Sequence, residues 1–499
     1  MDLASLETLV LFLCLTQANG LGLLSNFLDL ISFFLTAGVK LQNNRTNSER
    51  RKYDVLIVGA GIAGLSAAEY LIKNGVTKVA ILEAKSRIGG RVHTKFINGN
   101  PLEIGAQWIH GAHEANIVYN IAVENGLANG TCETLKGPTF LSNGKEVDKS
   151  LVNKLFEEIE SFENLESNDS LEVNLENEFK NISQKFQPND RDMMKKVFNF
   201  YKIQTMFDEG DELDKLSARS DYKSYPCDLD IYGGLNKLVK LIANRVGESR
   251  IFKQHEVLNI DYSKNQVLIK VKNGKTIKHF QAKFAISTVS LGFLKANSAS
   301  LFTPKLPERK LIAINHLVFG RGVKIFLFYN KPFWKRNQLL KLKLAISNED
   351  YVKGKKEWIH RVAYFEEMTD CPNVLLTTVF GDVAEEVELM NKSEINEKLT
   401  NLLRNYTNNI DLLKADKIIT SKWTIDRFVL GTYSVPGISS DREDFETISE
   451  PLPNSDFPKL LFAGEATSRT HYSTLHGSRE SGIREAIRII DRIKATNAI

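Results

Sequence analysis

The strongest chemical signal in the chain is a glycine-rich segment followed at a fixed distance by an acid. Residues 53–64 read YDVLIVGAGIAG, and Glu83 closes a second apolar run nineteen residues after Gly64. Gly59 permits a tight turn, Gly61 lets backbone N–H groups approach a pyrophosphate, and Gly64 lets the next helix pack on the strand. Glu83 can accept hydrogen bonds from ribose hydroxyls. The pattern predicts a dinucleotide site with its anion at a helix N-terminus.

The elements that must position these groups are a buried strand, a helix and a second strand, which is typical of an α/β fold. Residues 150–225 are charged and poor in glycine, and they predict a helical excursion out of the first domain. The last unit combines a buried strand at Leu460–Ala463, the pair Gly464–Glu465, and an amphipathic helix from His476 to Lys494. A chain that returns in this way closes its nucleotide domain with its own end, which simple NAD dehydrogenases do not need.

Alternating patterns in the middle of the chain predict short strands. Two pairs of runs flank the hairpin signal Asn273-Gly274. The predicted strands there are Val257–Asp261, Val267–Val271, Thr276–Phe280 and Ala285–Thr288. Further β-rich segments are predicted at 311–330 and 359–381. The remaining patterns indicate helices between these strands.

Composition excludes several classes of protein. A chain of 499 residues with 42% hydrophobic residues is expected to fold as two domains with a sizeable core. Its 65 basic and 61 acidic residues give a net charge of +4, too small to indicate nucleic-acid binding. None of the four cysteines, Cys14, Cys132, Cys227 and Cys371, falls in a CxxC pair. We therefore predict neither a metal site nor a disulfide framework.

The first forty residues carry an ambiguous targeting signal. Leu9–Leu15 is an apolar run followed by small residues near Ala18, as in a secretory signal, although no basic residue precedes it. Leu21–Val39 is long enough to span a membrane but contains Asp29. We favour the secretory pathway and an extracellular location. A cytoplasmic protein with membrane contact through residues 9–39 and a soluble extension are the alternatives.

Two further signals leave the location open. The C-terminal tripeptide Asn-Ala-Ile is not a peroxisomal address. Six glycosylation sequons do not decide the question, because chance alone gives roughly five. They lie at Asn44, Asn129, Asn168, Asn181, Asn391 and Asn405.

Several motifs further along the chain occur in a recognisable order. Residues 87–94 read RIGGRVHT, 103–111 read EIGAQWIHG, 323–328 read VKIFLF, 462–467 read FAGEAT and 471–477 read HYSTLHG. In this order they resemble the flavin-containing amine oxidases, and among them the polyamine oxidase and spermine oxidase branch. The resemblance covers about residues 53–492. It implies a Rossmann-like FAD-binding domain of the amine oxidase type and a second α+β substrate-binding domain.

The resemblance assigns most cofactor contacts. Glu83 is expected to bind the adenosine ribose, Arg91 to lie along the phosphates and flavin, and Glu465 to contact the ribityl–phosphate region. Thr474 and Leu475 are expected at the flavin pyrimidine edge, at the N-terminus of the last helix, where an anion is stabilised. The remaining predicted cofactor contacts are Gln107, Trp108, Trp423 and, through its backbone, Val257. FAD is expected to be bound non-covalently, because no cysteine lies in the C-terminal flavin loop.

Lys324 is the first candidate for catalysis. Without the resemblance it is an edge-strand lysine with its ammonium group in water, on one face with Phe326 and Phe328. With the resemblance it matches the lysine that holds a water beside flavin N5, and burial among aromatic residues is expected to lower its pKa.

Two other candidates face the same choice between a core residue and a site residue. His110 matches the polyamine oxidase position that lines the substrate tunnel, and Tyr433 matches an aromatic residue that flanks the amine. Tyr472 is an alternative wall residue. The acids Asp208, Glu209, Asp211 and Glu212 lie in the excursion that is expected to roof the tunnel. A roof of acids would attract ammonium groups.

The sequence departs from the family in places. Arg427 stands where relatives usually have proline, and Leu430 where they often have arginine. Both precede Tyr433, so substrate selectivity is less firmly predicted than cofactor binding. The chain before Tyr53 is too short for the extra N-terminal domain expected of histone-demethylating relatives, and no long antiparallel helical insert is apparent.

The combined prediction is an FAD-dependent amine oxidase. Its FAD-binding domain is assigned to 53–130, 226–292 and 455–495, its substrate-binding domain to 131–225 and 293–454, and a targeting segment to 1–52. The expected reaction oxidises a C–N bond of spermine, spermidine or an acetylated form with O2, giving an aldehyde, a shorter amine and H2O2. The alternatives are another flavin amine or amino-acid oxidase and an inactive flavin-binding scaffold.

Overall fold

Two β-sheets with helices packed around them form the frame of the protein. The computed structural model describes residues 51–128, 132, 137–160, 167–223, 227–334, 341–368, 370–455 and 457–497. In chain order the described strands are β1 (Arg51–Val58), β2 (Val79–Leu82), β3 (Thr94–Ile97), β4 (Asn100–Glu103), β5 (Trp108–Ile109), β6 (Thr139–Phe140), β7 (Leu229–Asp230), β8 (Ile251–Phe252), β9 (Glu256–Asp261), β10 (Val267–Asn273), β11 (Thr276–Ser287), β12 (Phe302–Thr303), β13 (Val318–Phe319), β14 (Gly322–Phe328), β15 (Lys341–Leu344), β16 (Tyr364–Glu367), β17 (Val374–Phe380), β18 (Lys417–Thr420), β19 (Ser434–Val435) and β20 (Leu460–Phe462).

The described helices alternate with these strands along most of the chain. In order they are α1 (Ile62–Lys73), α2 (Ile117–Glu124), α3 (Lys149–Glu160), α4 (Leu171–Ser183), α5 (Arg191–Glu209), α6 (Asn236–Val246), α7 (Leu291–Leu301), α8 (Glu308–His316), α9 (Asn348–Lys353), α10 (Ala384–Leu389), α11 (Lys392–Thr407), α12 (Asp444–Ser449) and α13 (Leu475–Asn497). The structure is mixed α/β with a partly parallel sheet, as predicted.

The first sheet carries the glycine-rich segment. Its order is β12-β9-β10-β11-β1-β2-β8, with β20 also paired to β11. β1 and β2 pair in parallel, Val55 with Val79 through Val58 with Leu82. These paired residues are all buried, because helices cover both faces of a parallel sheet and leave no polar side.

One long strand links the two halves of this sheet. β11 first forms a hairpin with β10, in which Asn273 pairs with Thr276, and then runs parallel to β20 from Ala285 to Ser287. The prediction of two separate strands in this stretch, Thr276–Phe280 and Ala285–Thr288, was wrong. Residues 281–284, between the two predicted strands, continue the same strand. Gln281 and Ala282 still pair with β10, which satisfies their backbone hydrogen-bonding groups.

The end of the chain packs against its beginning. α13 lies on α1, and a Cβ at Gly482 would stand 2.2 Å from the backbone oxygen of Ala63, so only glycine permits this approach. Arg479 donates to Ser66 Oγ at 2.9 Å and to Glu69 Oε2 at 2.8 Å. The terminal helix therefore supports the helix that follows the glycine turn.

The second sheet has the order β18-β14-β17-β16-β15-β6. β14, which carries Lys324, is hydrogen-bonded to β17 on one side and β18 on the other. Ahead of β14, α8 occupies residues that we predicted to be β-rich, because Pro307 starts a helix whose Ala313 and Ile314 face the core. Only the second half of the predicted 311–330 segment is strand.

The helical excursion is present and packs over the second sheet. α3, α4 and α5 lie within the predicted range 150–225, and α5 contacts β15 and β17. α5 ends where Gly210 takes a left-handed conformation, φ 94°, which is a common way to stop a helix. This end of α5 points its last residues at the cavity described below.

Residues 52–499 form one compact unit, and the domain boundaries proposed within it stay predictions. Strand β12 joins the first sheet although it lies beyond residue 292, the predicted limit of that segment. The targeting segment 1–50 lies outside the described residues. Within the described part of the chain no helix has the length and apolarity to cross a bilayer.

Candidate active site

A single large cavity of about 500 Å³ collects most of the residues that the sequence singled out. Fourteen of the fifteen predicted site residues line it: Gly59, Gly61, Glu83, Arg91, Gln107, Trp108, His110, Val257, Lys324, Trp423, Tyr433, Glu465, Thr474 and Leu475. Gly64 does not, because its place is behind the cavity. This volume lies within the usual range of small-molecule and cofactor sites, about 300–1,000 Å³.

The nucleotide end is held together by a buried carboxylate. Glu83 Oε2 accepts a hydrogen bond from the Ala60 N–H at 2.8 Å, and its Oε1 accepts one from the Lys85 N–H at 2.8 Å. Burial raises the pKa of Glu83, although these two bonds and the nearby charge of Lys85 oppose the rise. The end of β2 is thus fixed to the glycine turn after β1.

The three predicted glycines have three different environments. A Cβ on Gly59, whose φ is 107°, would meet Thr288 Oγ1 at 2.5 Å, and one on Gly64 would lie 2.1 Å from the Gly59 oxygen. A Cβ on Gly61 would meet nothing nearer than 3.9 Å, at the Cα of Gly90. Packing therefore requires glycine at positions 59 and 64. At Gly61 the absence of a side chain leaves space in the cavity instead.

Arg91 and Glu465 join the two ends of the chain beside the cavity. Arg91 donates to Glu465 Oε1 at 2.8 Å and to the Thr432 oxygen at 2.7 Å. The other carboxylate oxygen of Glu465 accepts from the Ser473 N–H at 2.9 Å and from the Ser434 hydroxyl. Glu465 is 2% exposed, so its charge is compensated by these donors rather than by water.

Lys324 points into the cavity from the interior of the second sheet. Its Nζ donates to the backbone carbonyl oxygens of Glu103 at 3.2 Å and Gly105 at 2.9 Å, and to Gln107 Oε1 at 2.9 Å. The ring of Trp108 lies 5.8 Å from the same nitrogen. The interpretation as an edge-strand lysine in water is therefore wrong, and the three acceptors fix the ammonium group at the cavity wall.

Trp423 is fixed by two contacts that the sequence did not reveal. Its indole Nε1 donates to the Ile104 oxygen at 2.8 Å, and its backbone N–H donates to Glu388 Oε1 at 2.7 Å. Glu388 also accepts from the Ile425 N–H at 3.0 Å. Burial raises the pKa of Glu388 to about 7, against these hydrogen bonds. No spacing rule could have connected Glu388 to this loop.

Tyr433 fits against the end of α5. A Cβ on Gly210 would lie 2.7 Å from the Tyr433 ring, so the glycine that ends the helix also makes room for the aromatic side chain. The Tyr433 hydroxyl donates to the Phe207 oxygen, and Phe207 in turn packs edge-on against Trp108 at 6.2 Å. Burial raises the pKa of Tyr433 well above its usual value. Tyr433 is a neutral aromatic wall residue.

The four predicted roof acids separate into two pairs. Asp208 and Glu209 line the cavity. Asp211 instead interacts with Lys215 and Arg321, and Glu212 forms a buried bidentate pair with Arg361 at 2.8 and 3.1 Å. The prediction for Asp211 and Glu212 was wrong, because the left-handed residue after α5 turns the chain away from the cavity.

Burial and the neighbouring Asp208 charge raise the pKa of Glu209 to about 7. Burial, followed by the charges of Asp228 and Glu209, raises the pKa of Tyr222 to about 12. Tyr222 packs on Tyr472, whose hydroxyl lies 2.6 Å from Ser220 Oγ. Two acids and two tyrosines thus share one end of the cavity.

His110 has a partner that the sequence did not predict. Its Nδ1 lies 2.9 Å from Asp228 Oδ2, and Asp228 Oδ1 accepts from the Gly111 N–H at 3.2 Å. Burial opposes ionisation of Asp228, but the hydrogen bond and charge of His110 outweigh it and lower the pKa of Asp228. The two residues are 118 positions apart, and no local pattern signals their contact.

A disulfide lies directly beside this pair. Cys132 and Cys227 are bonded, with Cα atoms 5.0 Å apart, while Cys371 is a buried free thiol. The prediction that the cysteines form no disulfide was wrong in this one case. The partners are 95 residues apart in sequence, so the spacing rules for compact cysteine motifs do not detect them.

The last helix begins at the cavity. Thr474 Oγ1 accepts from the Gly477 N–H at 3.0 Å and donates to the His471 oxygen at 2.7 Å, so it caps the first turn of α13. Thr474 and Leu475 both line the cavity. The positive end of a 23-residue helix therefore faces this space.

The residues present fit a flavin dinucleotide. The cavity has open space next to Gly61 and the buried carboxylate of Glu83 at one end. The N-terminus of α13 lies at another part of the same cavity. No cysteine among the described residues lines the cavity, and non-covalent binding stays a prediction. The cavity therefore offers an anion-binding turn, a ribose acceptor and a second anion-stabilising helix end.

Comparison with known proteins decides the family. The profile described as "Flavin containing amine oxidoreductase" matches residues 62–490. The chain belongs to this family. As a flavin-dependent amine oxidase it uses FAD as its cofactor, and the cavity residues named above are those that would hold it.

The relatives of this amine oxidase are distant but cover nearly all of it. Protein anon-37Cs of Drosophila simulans is 27% identical, over 91% of this chain and 94% of its own length. The human peroxisomal N(1)-acetyl-spermine/spermidine oxidase is 29% identical, over 87% and 94%. A solved structure of a putrescine oxidase double mutant superimposes with a TM-score of 0.66 at 19% identity, covering 89% of this chain and all of that one. The structural similarity establishes the amine oxidase fold.

Proposed function

We propose that this amine oxidase acts on a polyamine, a long polycation without a carboxylate. The observation that carries the proposal is the pair Asp208 and Glu209 on the cavity wall at the end of α5, among the aromatic rings of Tyr222, Tyr433 and Tyr472. Acids and aromatic faces attract ammonium groups, the aromatic faces by about 0.5–2 kcal/mol each.

The position of the two acids supports a role in binding rather than in folding. They occupy the last turn of α5, where the helix dipole is negative and a carboxylate is unfavourable by about 0.3–1 kcal/mol. Burial further penalises the charged form of Glu209, as its raised pKa indicates. Residues that break local rules in this way are expected at functional sites.

The cations of the cavity do not suit a substrate carboxylate. The lysines and arginines among the described lining residues are Lys85, Arg91 and Lys324. Lys85 pairs with Asp426, Arg91 with Glu465, and Lys324 is held by three protein oxygens. An amino-acid oxidase needs a cation directed at the carboxylate of its substrate, so these contacts favour amines without one.

Each wall of the cavity then has a task. When bound, FAD would supply the two-electron oxidation of the C–N bond, and O2 would return the reduced flavin to its oxidised form. Tyr433 presents an aromatic face to the reacting nitrogen, and Lys324 also lines the cavity, with its ammonium group fixed by three protein oxygens. Glu209 and Asp208 bind an ammonium group at the far end of the polyamine, and this contact fixes how far the polyamine enters the cavity.

Peroxide release tests the proposal. The purified holoenzyme is assayed with spermine, spermidine, N-acetylspermine and putrescine, and with benzylamine and leucine as controls. We expect a polyamine to give the highest kcat/KM, with products identified by mass spectrometry. Higher salt should raise KM for the polyamine by screening the acids, and it should raise KM for benzylamine much less, because a monoamine has no second ammonium group to reach them. Faster turnover of benzylamine or leucine contradicts the proposal, and absence of peroxide with every amine indicates an inactive scaffold.

We also propose that the protein enters the secretory pathway. The apolar run Leu9–Leu15 supports this, and so does the disulfide Cys132–Cys227, since structural disulfides persist in oxidising compartments. Four sequons in the described part of the chain, at Asn168, Asn181, Asn391 and Asn405, are exposed. Expression in eukaryotic cells should yield a shortened N-terminus and a mobility shift after glycosidase treatment. An intact Met1 without any shift contradicts secretion.

A further inference from the structure

We propose that Asp228 is the positioning residue of His110: by holding Nδ1 of the imidazole it fixes the orientation and the tautomer in which His110 meets a substrate nitrogen. The inference rests on the proposed function, because it assigns His110 a contact with the amine. It adds a residue that lies outside every motif of the sequence. The geometry that supports it involves side chains, backbone and a covalent link.

The side-chain contact fixes the direction of the ring. Asp228 Oδ2 lies 2.9 Å from His110 Nδ1, and its other oxygen accepts from the Gly111 N–H at 3.2 Å. The carboxylate is therefore held at two points on consecutive residues. Both Asp228 and His110 line the cavity, so the pair forms part of its wall rather than of the distant core.

The segment around Asp228 is tied to the segment around His110 on both sides. Before it, the Cys227 oxygen accepts from the Ala112 N–H at 2.7 Å, and Cys227 is bonded to Cys132. After it, β7 pairs with β5, Leu229 with Ile109 and Asp230 with Trp108. A carboxylate between two such anchors has little freedom to leave the imidazole.

The chemistry of the two groups decides the tautomer. An ionised carboxylate can only accept a hydrogen bond, and the lowered pKa of Asp228 keeps it ionised near neutral pH. In a neutral imidazole the proton must then sit on His110 Nδ1, which makes Nε2 an acceptor. Amine N–H groups are donors, so this tautomer suits a polyamine. Carboxylates that orient metal-bound histidines contribute about 10–100-fold to activity, and we take the same magnitude as the expected effect here.

Exposure argues against a purely structural pair. The side chains of His110 and Asp228 are 41% and 35% exposed. Ion pairs with that much contact with water contribute little to stability. Removal of the carboxylate should therefore change catalysis and leave thermal unfolding nearly unaltered.

The test compares Asp228→Asn, Asp228→Glu, His110→Gln and the double variant His110→Gln/Asp228→Asn. Asp230→Asn is the matched control, because it removes the same charge two residues further along the chain, in β7. An asparagine amide can donate to Nδ1 and so favours the opposite tautomer, with Nε2 as a donor. We expect Asp228→Asn to lower kcat/KM for the best polyamine about 10–100-fold, Asp228→Glu to recover part of it, and Asp230→Asn to match the wild type.

Two readouts separate positioning from structure. In the His110→Gln background, Asp228→Asn should have no further effect on kcat/KM. NMR of protein labelled with 15N-histidine should assign the Nδ1-protonated tautomer to His110 in the wild type, and this signal should be lost in Asp228→Asn. FAD content and Tm should stay at the wild-type value in each single variant.

The outcomes distinguish the two proposals. An unchanged tautomer and an unchanged kcat/KM in Asp228→Asn overturn the positioning role, even if the wild type oxidises polyamines. Additive losses in the double variant also overturn it. If the wild type oxidises no polyamine but the NMR signal depends on Asp228, the substrate proposal fails and the positioning role stands.

Discussion

The nucleotide end and the substrate end of the cavity are built in different ways. At the nucleotide end, Gly59, Gly61 and Glu83 come from one short stretch of sequence. The two glycines act through the absence of a side chain, and the Glu83 carboxylate binds backbone N–H groups of the same stretch. At the substrate end, His110 and Glu209 come from distant segments and act through side chains. A site made of backbone tolerates few sequences, whereas a site made of side chains can change its specificity residue by residue.

The electrostatics of the two ends differ as well. Glu83 is buried against two backbone donors that are part of the fold, so its charge is compensated before any ligand arrives. Glu209 is held at the negative end of a helix beside another acid, and its pKa rises to about 7. A cation at the substrate end would relieve that arrangement. The first end is compensated within the folded protein, and the proposed cationic substrate would compensate the second.

The largest effect should come from Lys324→Met, which tests whether chemistry separates from cofactor binding. The ammonium group is hydrogen-bonded to Glu103, Gly105 and Gln107 and not to the glycine turn that holds Glu83, so we expect kcat to fall about 10²–10⁴-fold with FAD content unchanged. Lys417→Met on the neighbouring strand β18 is the control and should behave as the wild type. Stopped-flow and steady-state assays measure the loss. A wild-type rate in Lys324→Met would make the lysine a strand residue only.

The next effect should come from Glu83→Gln, which tests the nucleotide end alone. A neutral amide accepts hydrogen bonds from ribose and from the turn more weakly than a carboxylate. A loss of about 1.5–3 kcal/mol corresponds to roughly 10–100-fold weaker FAD binding. Titration of the apoprotein with FAD measures this, and KM for the amine in FAD-saturated enzyme should not change. Glu124→Gln, an exposed acid at the end of α2, serves as the control. Equal FAD affinity in both variants contradicts the assignment of Glu83.

A smaller effect should come from Glu209→Gln, which tests the substrate end. Because the pKa of Glu209 is about 7, its charge develops as pH rises through neutrality, and KM for the polyamine should fall from pH 6 to pH 8. Glu209→Gln should remove much of that fall and raise KM roughly tenfold at pH 8, since a charge-assisted contact contributes about 1.5–3 kcal/mol. Asp192→Asn at the other end of α5 is the control.

Glu209→Gln should weaken substrate binding but increase the thermal stability of the protein at high pH. The folded protein binds the Glu209 proton more tightly than the unfolded chain, so the stabilisation from the protonated form is lost as pH rises through about 7. Glu209→Gln should therefore raise Tm at pH 8 and leave it unchanged at pH 4.5. An identical Tm difference at both pH values would show that Glu209 does not titrate in this range. A KM that is insensitive to the substitution would place the distal ammonium group elsewhere.

Sequence predicted the nucleotide end well, because strand, turn, helix and acid are adjacent in the chain. β1, β2 and the turn at Gly59 lie where the pattern placed them, and Glu83 contacts that turn. It also predicted the last strand and helix, β20 and α13, since their apolar pattern is local. Each of these features depends on residues that are close to one another in the sequence.

Sequence could not predict the details of the substrate end. The contact of His110 with Asp228 and the bond between Cys132 and Cys227 depend on the path of the chain over about a hundred residues. The four roof acids look equivalent in the sequence, and only the left-handed Gly210 separates Glu209 from the acids that follow. The family resemblance supplied Lys324 and Tyr433, which pattern alone left as a lysine on a strand and an aromatic residue in a loop.

The disulfide has a consequence for how substrate preference can change. Cys132 and Cys227 bracket the residues that include α3, α4 and α5, so the helical roof is a loop closed at its base by a covalent bond. The bond holds the two ends of this loop together, while β6 and the buried Glu212–Arg361 pair join the loop to the second sheet. Replacement of residues 167–210, which keeps these attachments in place, should transfer a preference for another amine while the nucleotide end keeps its own sequence and its FAD.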